Sequence, residues 1–353
     1  MKNIIFFLCI ILAAQLTFAQ TGWEAKIYGG YLISHHPEMQ NMESHISGIE
    51  LHKYWTLEHP DKRYNGMKVG LATAFFDLGK DRINGSSFYL LPNIEIQLNK
   101  NATSPFSMRW GAGIGYISNP FSFPSNVQNK AVGTHLNGTM QMLFSKSLTI
   151  GSQGKLSLGF GLTHMSNANF KKPNLGINTP HLFLNYNHTA NKNKRSKMNL
   201  KPSPKGQLRV VGAFSKREIS LDDPKAIQIF TLSATYLKKR KTGHFWRFGT
   251  DVFYDRSYSY VKFEENSMTN SIPENTEHGV RAGYHWKVSK VGLLLDMGIY
   301  TYRPSPVKRR YYTIVGMDYA ITPKVNAFVK MKTHLSVADF FLWGLSINVF
   351  EHE

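Results

Sequence analysis

The chain has 353 residues and carries 42 Lys and Arg against 23 Asp and Glu, a formal net charge of +19. It has a single cysteine, which excludes an internal disulfide framework. The length fits one large domain or two ordinary ones. Aromatic residues make up 13% of the chain and there are 28 glycines, a composition that favours many strands over long helices.

The first nineteen residues have the pattern of a secretory signal peptide. Lys2 precedes an apolar run over residues 4–14, and Thr17-Phe18-Ala19 offers a small-residue cleavage site. Cys9 lies within that run, so we expect the exported chain, residues 20–353, to contain no thiol. No later stretch approaches the roughly 18 consecutive apolar residues that a membrane-spanning helix needs.

Alternation with a period of two residues recurs along the rest of the chain. In 106–117, 291–301 and 339–350, apolar residues, most of them large, occupy every second position, and the positions between them include Gly, Ser, Asn and charged residues. Strands of about ten residues that are apolar outside and small or polar inside are typical of outer-membrane barrels. Closing such a sheet removes the unpaired edges that lipid cannot satisfy. The pattern therefore predicts an all-β, transmembrane antiparallel barrel.

The same pattern predicts about 14 to 16 strands. The sixteen segments are 23–34, 44–57, 66–79, 86–99, 105–117, 131–146, 154–167, 179–189, 206–216, 226–240, 244–256, 278–289, 290–302, 309–320, 322–334 and 338–350. No linker divides them, so we expect one barrel domain over residues 20–353. With the N-terminus in the periplasm, odd-numbered strands run outward, and the connection at 168–178 faces outside.

One polar pair lies on the side of a strand that should meet lipid. In 154–167 the even positions are bulky, as at Leu158 and Phe160, and the odd positions are small or polar. His164 and Ser166 continue the bulky face, because side chains alternate with period two along a strand. A polar pair on the lipid side is costly, but it makes sense if the substrate is itself a lipid.

The spacing of this pair allows two interpretations. Side chains at i and i+2 of a strand point the same way, about 6–7 Å apart at the backbone. A serine nucleophile needs a base within hydrogen-bond reach and a third group that holds the imidazole. His164 and Ser166 could be such a pair, or two polar residues at the membrane interface; the spacing alone favours the second.

The residues around the pair favour the first interpretation. The segment THMSNANFKKPNLGIN, within residues 105–190, resembles the active-site segment of the lipid A 3-O-deacylase (PagL-type) family, outer-membrane esterases also labelled acyloxyacyl hydrolase-like. The positions that match are His164, Ser166, Asn167, Ala168, Asn174 and Gly176. The resemblance implies that His164 is the general base and Ser166 the nucleophile. It also implies that Asn167 and Asn174 support the loop and the oxyanion site.

The third catalytic position departs from the family. The acidic member of the family's triad falls twelve residues after the serine, where this chain has Asn178, and the chain has no Asp or Glu between Glu95 and Glu218. An amide oxygen can orient an imidazole, yet an Asp-to-Asn change in a serine triad costs roughly 10⁴ in turnover. A slow esterase using Asn178, an acid from a distant strand, and a retired active site all remain open.

The charge distribution bears on the partners. Residues 96–217 contain sixteen Lys and Arg and no acid, and Lys171 and Lys172 lie in the segment after Ser166. Lysines act as point charges toward phosphate, so these two are candidates for contact with phosphorylated lipid A. A general attraction to anionic outer-membrane lipids explains the charge equally well. No nucleic acid, cofactor or metal is expected, and the sequence leaves a homodimer open.

The function expected from these observations is hydrolysis of an acyl ester of lipid A, within lipopolysaccharide, at the outer leaflet. Ser166 and His164 would carry the chemistry in a protein exported to the outer membrane. The alternative is a non-enzymatic barrel of the same descent, with a structural, ligand-binding or channel role and a degenerate active site.

Overall fold

The computed structural model describes residues 20–58, 66–99, 104–150, 154–189, 196–197, 204–221, 225–258, 272–288, 290–304, 310–335 and 337–352. The predicted signal peptide, residues 1–19, lies outside these ranges and stays a prediction. Almost every regular element is an antiparallel strand, which confirms the predicted barrel architecture. Within the described residues, no helix has the length and apolar character needed to cross a membrane.

Eight strands form the first barrel. They are β1 (Gln20–Leu32), β2 (Ser44–Glu58), β3 (Lys68–Asp77), β4 (Ser86–Gln97), β5 (Phe106–Ile117), β6 (Leu136–Ile150), β7 (Gly154–Ser166) and β8 (Ile177–Thr189). Sequential neighbours pair throughout, and β1 pairs with both β2 and β8, so the sheet closes. A two-residue strand, β9 (Ser196–Lys197), adds to β2 in parallel.

Eight further strands close a second barrel. They are β10 (Gly206–Glu218), β11 (Ala226–Lys241), β12 (His244–Asp255), β13 (Thr276–Val288), β14 (Val291–Tyr302), β15 (Tyr311–Ala320), β16 (Val325–His334) and β17 (Val337–His352). Closure comes from the pairing of β10 with β17. Its interior contains a cluster of buried apolar side chains that includes Phe253, Tyr312 and Phe340.

The closure differs from the expected single barrel over residues 20–353. In the part of the chain that the structure describes, the long strands number sixteen, at the upper end of the predicted range, but they form two closed sheets of eight. The physical reason is that alternation identifies a strand and its two faces without saying which strand it pairs with. An eight-stranded sheet already encloses an interior that side chains can fill. Each half of the chain can therefore close by pairing its own first and last strands.

The chain also divides into two compact units, and their boundaries differ from those of the two sheets. The first is Met1–Pro120, His135–Met165 and Ile177–Met198; the second is Phe121–Thr134, Ser166–Gly176 and Asn199–Glu353. The second unit therefore contains the second barrel together with part of the β5–β6 connection and the segment that follows β7. We call Ser166–Gly176 the serine loop.

Candidate active site

The outer face of β7 carries the candidate base. Leu158, Phe160 and Leu162 are 67%, 55% and 43% exposed, whereas the alternate positions Ser157 and Thr163 are buried. His164 continues the exposed register and is partly buried. The predicted side of the strand is thus confirmed, and the imidazole lies on the face that large apolar side chains share.

The imidazole of His164 is held by an amide from the neighbouring strand. His164 pairs with Asn178 across β7 and β8, and its Nδ1 lies 2.7 Å from Asn178 Oδ1. With Nδ1–H donating to that oxygen, the neutral ring carries its lone pair on Nε2, the nitrogen that a general base needs. Asn178 stands where the resemblance to the deacylase family predicts an acid, and it offers an uncharged acceptor.

A second histidine completes the contacts of Asn178. The amide Nδ2 of Asn178 lies 3.1 Å from Nδ1 of His35, and the main-chain N–H of Ile33 donates to Asn178 O at 3.1 Å. These contacts use the amide nitrogen for His35 and leave the amide oxygen for His164. Sequence reasoning missed His35, whose only signal was its place in the histidine-rich stretch after β1.

Ser166 ends β7 at the boundary of the serine loop. It has the parity of His164 but is only 4% exposed, and the next two residues, Asn167 and Ala168, are buried as well. The strand ends here, and the Ser166 side chain is buried although apolar residues of the same parity before it are exposed. The sequence pattern predicted its strand and parity, but not its burial.

The two asparagines predicted to support the loop do contact each other. The main-chain N–H of Asn167 donates to Oδ1 of Asn174 at 2.8 Å, and Nδ2 of Asn167 donates to the carbonyl of Lys171 at 2.8 Å. These bonds cross the serine loop and hold it closed. Because the Asn167 N–H is directed at Asn174, its use as an oxyanion donor would require that bond to break.

The two lysines of the loop differ in their surroundings. Lys171 is exposed. Lys172 is partly buried, and its Nζ donates to Oδ1 of Asn169 at 2.9 Å. Burial, followed by the nearby Arg217 guanidinium, lowers the pKa of the Lys172 ammonium. Of the two predicted phosphate contacts, Lys171 is the better placed, because the charge of Lys172 is already engaged within the loop.

The carboxylate nearest the loop in sequence does not serve the imidazole. Glu218, the first acid after the long acid-free stretch, accepts the main-chain N–H of Lys172 at 2.9 Å. The partner that the structure gives to His164 is an amide. Within the described residues, no group of three or more His, Cys, Asp or Glu side chains is placed to hold a metal ion.

Comparison with known families covers both halves of the chain. Residues 43–187 match the family described as lipid A 3-O-deacylase (PagL), and residues 206–352 match the one described as acyloxyacyl hydrolase, C-terminal domain. The first match begins at residue 43, well before residue 105, where the resemblance noted in the sequence begins. No curated protein matches the chain.

Similar solved structures are distant. Neisserial surface protein A is 7% identical with a TM-score of 0.35, over 48% of this chain and 96% of that one. A mutant of the Rh. blastica porin is 8% identical with a TM-score of 0.21, over 94% and 99% of the two chains. The family matches and the two closed barrels lead to one assignment: the chain belongs to the lipid A 3-O-deacylase (PagL) family of outer-membrane β-barrels and carries the acyloxyacyl hydrolase C-terminal domain.

Proposed function

We propose that this protein hydrolyses an acyl ester of lipid A at the outer leaflet, with Ser166 as nucleophile and His164 as general base. The observation that carries the proposal is the 2.7 Å contact between His164 Nδ1 and Asn178 Oδ1. It orients a histidine two residues before a serine, inside the region that matches the deacylase family. A serine esterase requires a histidine that is oriented and within reach of its nucleophile, and this contact supports the first of these two requirements.

The reaction follows from these positions. Ser166 Oγ attacks the ester carbonyl while its proton passes to Nε2 of His164, and the tetrahedral intermediate then collapses to an acyl-serine and expels the alkoxide of the ester, which takes that proton and leaves as an alcohol. Water, activated by the same nitrogen, then cleaves the acyl-serine to release a fatty acid. Asn178 keeps the ring oriented throughout, but a neutral amide stabilises the imidazolium less than a carboxylate does. We therefore expect a slow enzyme.

The substrate class fits the surroundings of the pair. The base lies on the face of β7 that presents Leu158, Phe160 and Leu162, where an acyl chain would meet apolar side chains. Lys171, exposed in the serine loop, supplies a cation for a phosphate of lipid A. Both features suit an anionic lipid better than a water-soluble ester.

The test is lipid A mass spectrometry of cells with and without the protein, together with a Ser166→Ala variant. We expect wild type to remove one acyl chain and Ser166→Ala to lose this activity by about a thousandfold or more, as nucleophile removal does. Ser157→Ala is the matched control, because Ser157 lies on the same strand with its Oγ bonded to Ser147 at 2.8 Å. It should retain activity.

Two outcomes would contradict the proposal. Cleavage that persists in Ser166→Ala would remove Ser166 from the nucleophile's role, and no cleavage of lipid A or simple esters by wild type would favour the non-enzymatic barrel. Labelling of intact cells tests whether the serine loop faces the outside of the outer membrane. A Lys171→Cys variant should react with a membrane-impermeant maleimide before the outer membrane is opened.

A further inference from the structure

The serine loop is bonded to the second barrel through Asn169. The side-chain Nδ2 of Asn169 donates to the carbonyl oxygens of Ala338 at 2.7 Å and Asp339 at 3.1 Å, at the start of β17. The Oδ1 of the same amide accepts the Lys172 ammonium at 2.9 Å. The whole carboxamide is therefore engaged, three residues after Ser166.

Glu218, at the end of β10, makes a second attachment. Its main-chain N–H donates to the carbonyl of Asn169 at 2.9 Å, and its carboxylate accepts the N–H of Lys172 at 2.9 Å. Lys216 adds its ammonium over the ring of Phe170 at 5.3 Å. Two strands of the barrel, β10 and β17, thus bind the same short stretch of the loop.

The backbone at this stretch is one that side chains seldom adopt. Ala168 and Asn169 are consecutive residues with φ of +48° and +62°. Such residues persist only where their surroundings hold them, and they concentrate at functional sites. Asparagine tolerates the left-handed region better than most residues, so residue 169 suits both the conformation and the bonds to β17.

The acceptors on β17 are themselves held in place. The carboxylate of Asp339 binds the guanidinium of Arg217 and, at 3.1 Å, the ammonium of Lys332. Arg217 precedes Glu218 on β10 and also binds Asp255 at 2.6 Å. The two attachment points, Glu218 and the start of β17, are therefore linked by ion pairs whose carboxylates are buried.

We propose that Asn169 and Glu218 are positioning residues for ester hydrolysis: the C-terminal barrel holds the serine loop, and with it Ser166, in the reactive conformation. This inference rests on the proposed function. It gives the second barrel a role in the reaction although it supplies neither the nucleophile nor the base.

The kinetic test uses two replacements of Asn169 in the full-length protein. Asn169→Asp removes the two N–H donors, and Asn169→Gly removes the side chain while suiting a positive φ. Both should lower kcat for ester hydrolysis by about tenfold to a hundredfold, the range that a displaced reacting group costs, with KM nearly unchanged. Full activity in Asn169→Gly would show that the residue serves the backbone conformation alone and would overturn the inference.

Matched variants separate positioning from general stability. Asn348 also donates from Nδ2 to a main-chain carbonyl, that of Pro323 at 3.0 Å, at the other end of β17, so Asn348→Asp should leave kcat unchanged. Glu218→Gln keeps an oxygen that can accept the Lys172 N–H, so this variant should retain most of the activity. Glu218→Ala removes that acceptor and should lose most of the activity. Equal losses in Asn348→Asp and Asn169→Asp would contradict a positioning role.

A spectroscopic test distinguishes failure of this inference from failure of the proposed function. The only cysteine, Cys9, lies in the predicted signal peptide, so in the exported chain the electron paramagnetic resonance spectrum of a nitroxide on Lys171→Cys reports on the serine loop alone. Its spectrum should sharpen when Asn169→Asp is added and stay unchanged with Asn348→Asp. If wild type cleaves no ester, the proposed function fails, and with it the role in hydrolysis; a sharpened spectrum then shows only that the barrel holds the loop. An unchanged spectrum contradicts the attachment itself.

Discussion

At the scale of single residues, the rate expected of the proposed site depends on the group that orients His164. The amide oxygen of Asn178 lies 2.7 Å from Nδ1 of His164, and the amide nitrogen of Asn178 contacts His35. An amide selects the tautomer that leaves Nε2 free to accept a proton. An amide carries no charge that would stabilise the imidazolium expected during acylation, whereas a nearby carboxylate would stabilise it.

Asn178→Glu should therefore raise the rate of ester cleavage several-fold or more, because it places a carboxylate where the imidazolium develops. The measurement is kcat on lipid A with wild type and variant at the same pH. Asn178→Gln is the control, since it has the length of glutamate without its charge and should show no gain. A glutamate variant no faster than a measurable wild type would mean that Asn178 is not the third member of the site.

At the scale of elements, the serine loop is fixed by a second loop as well as by the barrel. The N–H groups of Leu175 and Gly176 donate to the carbonyls of Lys130 and Ala131 at 3.4 Å and 2.8 Å. Gly133 lies so close that a Cβ there would be 2.4 Å from the carbonyl oxygen of Lys172. The β5–β6 connection thus packs against main-chain atoms, which yield less readily than side chains do.

Gly133→Ala should displace the serine loop and lower kcat by about tenfold or more, the cost of a misplaced reacting group. Gly212→Ala is the matched control, because a Cβ at Gly212 in β10 meets no atom within 4 Å. Both variants should remain folded, as judged by the heat-dependent gel shift of closed barrels. Wild-type kcat in Gly133→Ala would show that the contact between the two loops does not influence the reaction.

At the scale of the whole molecule, each barrel has a charged interior. In the first, the Glu50 carboxylate accepts hydrogen bonds from Lys26 at 3.0 Å and from Arg109 at 2.8 Å. In the second, Arg281 binds Asp251 at 2.9 Å and Asp296 at 2.7 Å. These groups are buried, and an eight-stranded barrel is only wide enough for side chains to fill. Ion pairs therefore cross each lumen, and the first barrel keeps a cavity of about 210 Å³ that is lined by Lys26, Arg109 and Asn187 among others.

The purified protein should accordingly show no porin-like conductance in planar lipid bilayers, because opening a lumen would require breaking several buried ion pairs. The recording should be compared with a general porin under the same salt and voltage. Steady conductance steps from the wild-type protein would contradict this expectation and would favour the channel role over the enzyme.

Several features followed from the sequence alone because they depend on local periodicity. Period-two alternation located sixteen strands near their observed bounds and assigned His164 to the outward face of β7. The motif around Ser166 indicated the family, which the match over residues 43–187 confirms. The resemblance also pointed to Asn178, twelve residues after Ser166, and the structure pairs this residue with His164 across β7 and β8.

Only the tertiary structure decided which distant groups meet. Closure into two barrels depends on β1 meeting β8 and β10 meeting β17, and alternation does not encode a partner. His35 reaches Asn178 across 143 residues, and Asn169 reaches Ala338 across 169. Such contacts depend on closure of the sheets and on side-chain hydrogen bonds between residues far apart in the chain. A local pattern in a single sequence therefore does not predict them.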